Sequence, residues 1–339
     1  MDNWVLIGKQ LLEKQPQAEA KIGPTQVKVK ITHVLLSNYD AFCYIGTKSV
    51  KYPKTIGRFA VGIITETGDS CYGLEKGSRV YLNGVHPCGK CFACKTGKHY
   101  ECEKVKIAGD DFDGFMRDFV VCEYTNVSVI PDSVDDLHAL CIEYVALAEN
   151  IYDNLNLSAG KRVGIIGGGF LGTIFAQIAM YHKLVPVVVD NYPQNIERLK
   201  RSGVFYAFSA DDNLITNIDN ATSGELCDAA IYTNCCKFPA SVPASVVARR
   251  KDLVFGGFGN INVNIDMAFL FDKSLKVYAV SDGFGYIETA INMLVHGAID
   301  LSNFEKSVLT DFGEYPSLLR ARAETSAHAS SLIVLKLIL

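Results

Sequence analysis

The segment from Arg162 to Gly172 restricts what this chain can fold into more than any other. Residues 162–166, Arg-Val-Gly-Ile-Ile, form a short and almost wholly apolar run, which suits a strand covered on both faces. Gly167-Gly-Gly-Phe-Leu-Gly172 follows and fits G-x-G-x-x-G, and the chain continues to about Tyr181 as a helix-like stretch. Strand, glycine turn and helix in that order is the context in which the pattern carries meaning. Gly167 permits the tight turn, Gly169 lets the backbone approach a pyrophosphate, and Gly172 lets helix and strand pack closely; Phe170 and Leu171 complete the loop. The N-terminus of the helix then faces the phosphate charge. Hydropathy alone would offer residues 163–180 as a membrane span. The glycines at 164, 167, 168, 169 and 172 fit a phosphate loop better.

The next buried run, residues 184–190, ends in Asp190, 23 residues after Gly167. A carboxylate there accepts the ribose hydroxyls of NAD and repels the 2′-phosphate of NADP. Asn191-Tyr-Pro193 offers no basic residue to reverse that preference, although Arg198 is close in sequence. The loop is therefore read as binding NAD(H), in preference to NADP(H). A helix at 195–202 and strands at 229–232, 253–256 and 277–280 continue the alternation, which predicts a parallel, doubly wound sheet.

The first 145 residues have another character. Residues 27–31 alternate apolar and charged side chains, and 60–66 and 77–82 are further strand candidates between Gly, Asn, Asp and Lys punctuation. This predicts a β-rich domain with long loops. A helix at 286–295 and a strand-like tail at 331–339 close the chain. No internal repeat or low-complexity linker separates the parts.

Four of the 11 cysteines, Cys88, Cys91, Cys94 and Cys102, are spaced C-x2-C-x2-C-x7-C. Four thiolates so placed close a tetrahedron around one structural zinc and leave no open position. An iron–sulfur cluster takes the same ligands, and metal-free surface cysteines are the plainer alternative. Lys90, Lys95 and Lys98 offset the excess thiolate charge. The odd cysteine count, with no export signal expected at the start, argues against a disulfide framework and for a reducing cytoplasm. Cys43, Cys71, Cys122, Cys141, Cys227, Cys235 and Cys236 are read as small apolar residues. A formal charge of −4 with 49% apolar residues points to no nucleic-acid or membrane partner, and leaves a small-molecule substrate.

Taken together, the cysteine knot, Gly77-Ser-Arg-Val80, Gly114-Phe-Met-Arg-Asp-Phe-Val120 and the dinucleotide loop resemble, in that order, the medium-chain dehydrogenases, the superfamily of zinc-containing alcohol and polyol dehydrogenases. The resemblance covers nearly the whole chain. It implies an α/β protein in which a GroES-like β-rich catalytic domain, residues 1–145 and 284–339, is split in sequence around an inserted Rossmann domain, residues 146–283. It also implies a homo-oligomer, dimer or tetramer, formed through the Rossmann sheet edge.

The resemblance breaks at the catalytic metal. The family's cysteine ligand falls on Ser37 of Ser37-Asn-Tyr-Asp40, and its histidine on Arg58 of Gly57-Arg-Phe59; a later glutamate ligand matches Glu143. Asp40 and Glu143 alone keep their types. Serine hydroxyl and guanidinium are not zinc ligands at neutral pH, and Arg58 brings a fixed charge where the dication would sit. The catalytic zinc is read as absent. Arg58 is the candidate for stabilising a developing oxyanion, with Glu143 as its ion-pair partner; a purely structural pair is the alternative. Tyr39 matches the family's proton-relay hydroxyl and would act as general acid or base if a neighbouring cation lowers its pKa. Asp40 is read as orienting its neighbours.

Three functions follow. The first is an NAD(H)-dependent oxidoreductase with a zinc-free site, acting on a carbonyl, alcohol or activated alkene. The second is a zinc-dependent polyol or sugar-phosphate dehydrogenase with unusual ligands, since Gly114-Phe-Met-Arg-Asp-Phe119 is similar to a segment of pentitol-phosphate reductases. The third is a non-catalytic protein that senses NAD(H).

Overall fold

The computed structural model describes residues 2–233, 238, 242–257, 266–310, 312–324 and 331–337. Cys235, Cys236 and the last two residues of the tail lie outside them. The chain divides into two units, one of Met1–Glu143, Lys306–Thr325 and Ser331–Leu339, the other of Tyr144–Glu305. The sequence reading returns the chain to the first unit at residue 284; the structure does so at Lys306. Residues up to 305 stay with the second unit because they pack there. Gly283 approaches the Ala146 backbone so closely that a Cβ would sit 2.6 Å from it. Gln177 exchanges two hydrogen bonds with the Asp300 backbone, at 3.0 and 2.7 Å, and Phe304 lies edge-on to Phe170.

In the first unit a seven-stranded sheet runs in the order Val127–Val129, Arg79–Leu82, Phe59–Thr67, Gln26–Leu35, Leu332–Lys336, Lys306–Leu309, with Phe119–Glu123 also paired to Gln26–Leu35. The central strand is twice the length of its predicted core at 27–31. Register shifts between Lys28 and Val29 and between Ile31 and His33 break the apolar–polar alternation on which the prediction relied. Lys28 is buried as a result and is paired with Glu66 at 2.9 Å. The tail strand Leu332–Lys336 inserts beside the centre, antiparallel to Gln26–Leu35 and parallel to Lys306–Leu309. Val29, Ile31, Val34, Ile64, Val80 and Phe115 fill the core beneath it.

The second unit is a six-stranded sheet in chain order 3-2-1-4-5-6, with all five pairings parallel. Val163, Ile165, Val187, Val188, Ala230 and Val254 are inaccessible, as strands covered on both faces require. The order reverses between Arg162–Ile166 and Cys227–Tyr232, which places the glycine loop at the crevice where such sheets bind ligands. Two elements differ from the reading. Tyr206–Ser209 is a strand, and Val247–Gly256 begins six residues earlier than residue 253. There the pairing skips from Cys227↔Val247 to Ala229↔Asp252, and Arg250 takes φ 60° in an exposed charged stretch that masks the strand pattern. The apolar 163–180 run is a strand, a loop and one 12-residue helix. Among the described residues no helix is long and apolar enough to cross a membrane.

Candidate functional site

The cysteine knot is built locally. Gly89 and Gly97 take φ 68° and 79°, turns that a side chain resists, and the short helix Phe92–Lys95 starts with Cys91 as its cap. The sulfur atoms of Cys88, Cys91, Cys94 and Cys102 lie within 4.8 Å of one another. The Cys88–Cys94 and Cys91–Cys102 Sγ separations are 3.9 and 3.8 Å. A tetrahedron with Zn–S bonds of about 2.3 Å has edges of about 3.8 Å, so the set fits a tetrahedral ion. It does not fit disulfides, which need about 2.05 Å. Backbone N–H groups of Lys90 and Cys91 donate to Cys88 Sγ and favour its thiolate, holding its pKa down at about 6.

In the second unit Gly167 turns at φ 103°, and a Cβ on Gly172 would lie 1.8 Å from the Gly167 carbonyl oxygen. That contact admits only glycine. Gly169 caps helix Phe170–Tyr181 without a side-chain hydrogen bond, so the first-turn N–H groups remain for an anion. Phe170 and Leu171 give only their backbone to the loop. The Phe170 ring is packed between Tyr144 and Phe304, at 5.0 and 5.1 Å, and Leu171 is buried. Asp190 accepts from the N–H of Gly168 at 2.6 Å, the N–H of Tyr192 at 2.7 Å and the amide of Asn195 at 3.1 Å. It is fully buried, so the carboxylate assigned from sequence to the ribose first serves to pin the loop. Arg198 is also buried. It donates to the Gly168 carbonyl at 2.8 Å and stacks on Phe304 at 4.9 Å; burial lowers its pKa to about 10. Thr233, which sequence reasoning missed, clamps the loop from the next strand through the carbonyls of Ile166 and Gly167 at 3.1 and 3.0 Å. A threonine at a strand end carries no signal of its own.

The third group lies in the first unit. Ser37 caps helix Asn38–Ile45 in a reciprocal box: its hydroxyl donates to Asp40 Oδ2 at 2.5 Å and accepts from the Asp40 N–H at 3.2 Å. Asp40 Oδ1 accepts from the N–H of Gly57 at 2.8 Å, which ties this helix to the turn that carries Arg58. Burial raises the Asp40 pKa against these hydrogen bonds. Arg58 reaches Glu143, in the first turn of helix Ile142–Leu155, and donates to its carboxylate. Both side chains are 3% exposed. The Tyr81 hydroxyl donates to the other Glu143 oxygen at 3.2 Å. The guanidinium also lies over the rings of Tyr39 and Phe59, at 5.9 and 5.5 Å.

Tyr39 departs from the expectation. A neighbouring cation was to lower its pKa; burial raises it, and its hydroxyl donates to Asp110, which raises it further against the weaker pull of Arg58. Asp110 in turn pairs with Lys48 at 3.0 Å, and Lys48 lies 5.7 Å from the Tyr39 ring. The structure therefore brings Ser37, Tyr39, Asp40, Arg58 and Glu143 into one buried network and adds Tyr81, Asp110 and Lys48. A serine, a guanidinium and a carboxylate that already binds that guanidinium do not fit a zinc ion.

The family model for the alcohol dehydrogenase GroES-like domain matches residues 23–132. An uncharacterized zinc-type alcohol dehydrogenase-like protein of Haemophilus influenzae is 24% identical over 297 residues, 86% of each chain. The NADH complex of the alcohol dehydrogenase rspB of E. coli superposes with a TM-score of 0.85 over 99% of both chains at 21% identity. Galactitol-1-phosphate dehydrogenase of Escherichia coli superposes with 0.86 over 99% of this chain and 100% of that one, at 19% identity.

Proposed function

We propose, for a chain that belongs to the medium-chain dehydrogenase superfamily, an NAD(H)-dependent oxidoreductase that interconverts a small carbonyl compound or activated alkene and its reduced form without a catalytic zinc. The observation that carries this reading is the buried Arg58–Glu143 pair, which fills the position of two of the family's ligands with a fixed cation and its own counter-ion. One structural zinc is held by Cys88, Cys91, Cys94 and Cys102. When bound, the dihydronicotinamide supplies the hydride that forms the new C–H bond. The chain holds the cofactor by the Gly167–Gly172 loop, and the negative charge of Asp190 favours NAD(H) over NADP(H).

Tyr39 is the proton donor to the substrate oxygen in the reductive direction. Its raised pKa keeps the proton on at neutral pH, so the group does not rest as a base; donation requires the substrate oxygen to replace Asp110 as acceptor of the one hydroxyl proton and to develop enough negative charge to draw it off. Asp110 orients the hydroxyl, and Lys48, a quarter exposed, connects Asp110 with solvent so that the proton can be replaced. Arg58 acts from behind the Tyr39 ring and is shut away from solvent; it is a positioning residue, held by Glu143, as Ser37 and Asp40 hold the Tyr39 helix. The exposed edge strand Lys276–Val280, with Val277 42% accessible, supports a homo-oligomer built on the second unit's sheet. Described cysteines that form no disulfide support the reading of a reducing cytoplasm.

Metal stoichiometry and a Tyr39→Phe variant test the reading together. One zinc per chain, with loss of carbonyl reduction and unchanged NADH affinity in the variant, is the expected result. Two zincs per chain would transfer the protein to the zinc-dependent polyol dehydrogenases. The burial of Tyr39 and Arg58 favours, as a second reading, a non-catalytic NAD(H) sensor. Hydride transfer to any substrate excludes it.

A further inference from the structure

One arginine of the second unit lies where a helix keeps its apolar residues. Asn195, Ile196, Arg198 and Leu199 are the buried positions of helix Pro193–Arg201, spaced as one face. Arg198 is only 5% exposed. We infer that Arg198 is a positioning residue for the dinucleotide: from beneath the glycine loop it holds the Gly168 carbonyl inward and so presents the Gly169 N–H to the cofactor pyrophosphate. The inference rests on the NAD(H) binding proposed for this loop.

The loop is held peptide by peptide. Thr233 takes the Gly167 carbonyl at 3.0 Å, and the Gly168 N–H, on the other side of that peptide, goes to Asp190 at 2.6 Å. The Arg198 guanidinium donates to the next carbonyl, that of Gly168, at 2.8 Å, and the Thr173 hydroxyl lies 3.2 Å from the same oxygen. The one cis peptide among the described residues is Tyr52–Pro53, so the peptide between Gly168 and Gly169 is trans and its N–H points opposite to its carbonyl. With the carbonyl held on the Arg198 side, the Gly169 N–H faces the other way. It has no acceptor among the described residues, and Gly169 caps its helix without a side-chain hydrogen bond. A Cβ on Gly168 would lie 2.6 Å from Leu199 Cδ1, so the helix that carries Arg198 is seated directly on the loop.

The charge of Arg198 contributes as well. Burial lowers its pKa to about 10, and Arg201 adds to the fall against the pull of the Asp190 and Glu305 carboxylates. It therefore stays charged at neutral pH, balanced within the protein. In the loop it offsets the buried negative charge of Asp190, which would otherwise repel the two charges of a pyrophosphate. Its NH2 group is directed at Gly168 and Thr173, and its Nε is shut from solvent, so it is not a surface cation for the 2′-phosphate of NADP(H). Stacking on the Phe304 ring at 4.9 Å fixes the plane of the guanidinium.

The test is competition binding on the full chain at pH 7, read by NADH fluorescence, with NADH, ADP-ribose and adenosine as the probes. Arg198→Met keeps an apolar stem against Phe304 and removes the donors and the charge. It should weaken NADH and ADP-ribose, which carry the pyrophosphate, about tenfold each, and leave adenosine, which does not, within about twofold. Arg198→Lys keeps the charge but not the planar fork, so NADH and ADP-ribose should return to within about threefold of the parent. That smaller split carries the test if Arg198→Met fails to fold. An equal loss for adenosine would mean that Arg198 only holds the unit together, and overturns the inference. Parental affinity for NADH and ADP-ribose in folded Arg198→Met overturns it too. Absence of NADH binding by the parent chain overturns the dinucleotide reading itself, so failure of that reading is distinguished from failure of the role given to Arg198.

Discussion

Replacement of Glu143 by Gln is the perturbation that the structure makes most quantitative. Both members of the Arg58–Glu143 pair are 3% exposed, so the glutamate charge is removed while the arginine stays buried and charged. Burial alone would lower the Arg58 pKa, but the carboxylate of Glu143 raises it overall, which means the cation depends on that partner. Breaking one half of a buried pair costs about 3–5 kcal/mol. For a unit of this size that is a fall of roughly 6–20 °C in melting temperature. The chain's single tryptophan, Trp4, lies in the same unit, so its fluorescence during urea or thermal unfolding reports the unit that holds the pair. The double variant Arg58→Met, Glu143→Leu removes both charges and should be within about 1 kcal/mol of the parent or more stable by about 1–4 kcal/mol. A loss under about 1 kcal/mol in Glu143→Gln would refute the account, because it would mean that the two groups are not held together as a desolvated ion pair.

Three further outcomes follow from other parts of the molecule. Gly172→Ala places a Cβ 1.8 Å from the Gly167 carbonyl, a backbone atom that cannot step aside, and NADH affinity by fluorescence titration should fall about a hundredfold, or ~2.7 kcal/mol. Replacing Cys91 and Cys94 by Ser should take the zinc content of purified protein to none per chain and expose residues 84–108 to limited proteolysis, because the thiolates rather than a core hold that lobe. His182 is hydrogen-bonded to Glu149 at 2.6 Å, which raises its pKa. Its contribution to stability is therefore fully present below the unfolded value of about 6.5 and is lost as pH rises through the folded value. A His182→Gln variant should flatten the slope of melting temperature against pH in that window, and an unchanged slope would remove this pair from the account.

Local patterns in the chain were enough for much of this protein. The glycine loop, the cysteine spacing and the apolar runs at 162–166 and 184–190 each act over a few residues, where backbone geometry and ligand reach leave few alternatives. They carry the fold class, the cysteine lobe and the glycine loop. Where local pattern was broken by a bulge, as in Gln26–Leu35 and Val247–Gly256, the elements ran further than their periodicity showed. The reading of Ser37 and Arg58 as standing at positions of zinc ligands, with Glu143 kept, came only through the resemblance to the family's register. The Arg58–Glu143 pair was expected from that register, but the other partners of this site were not legible. Tyr81 and Glu143 are 62 residues apart, and Tyr39 and Asp110 71. Asp110 sits in an acidic turn that reads as solvated, and a tyrosine's pKa depends on burial and on a partner that only the folded chain delivers. The residue types and the Arg58–Glu143 pair were thus determined by the sequence, while the partners Tyr81 and Asp110, the desolvation of the site and the direction of its pKa shifts were decided by the tertiary structure, because those depend on contacts between segments that only folding brings together.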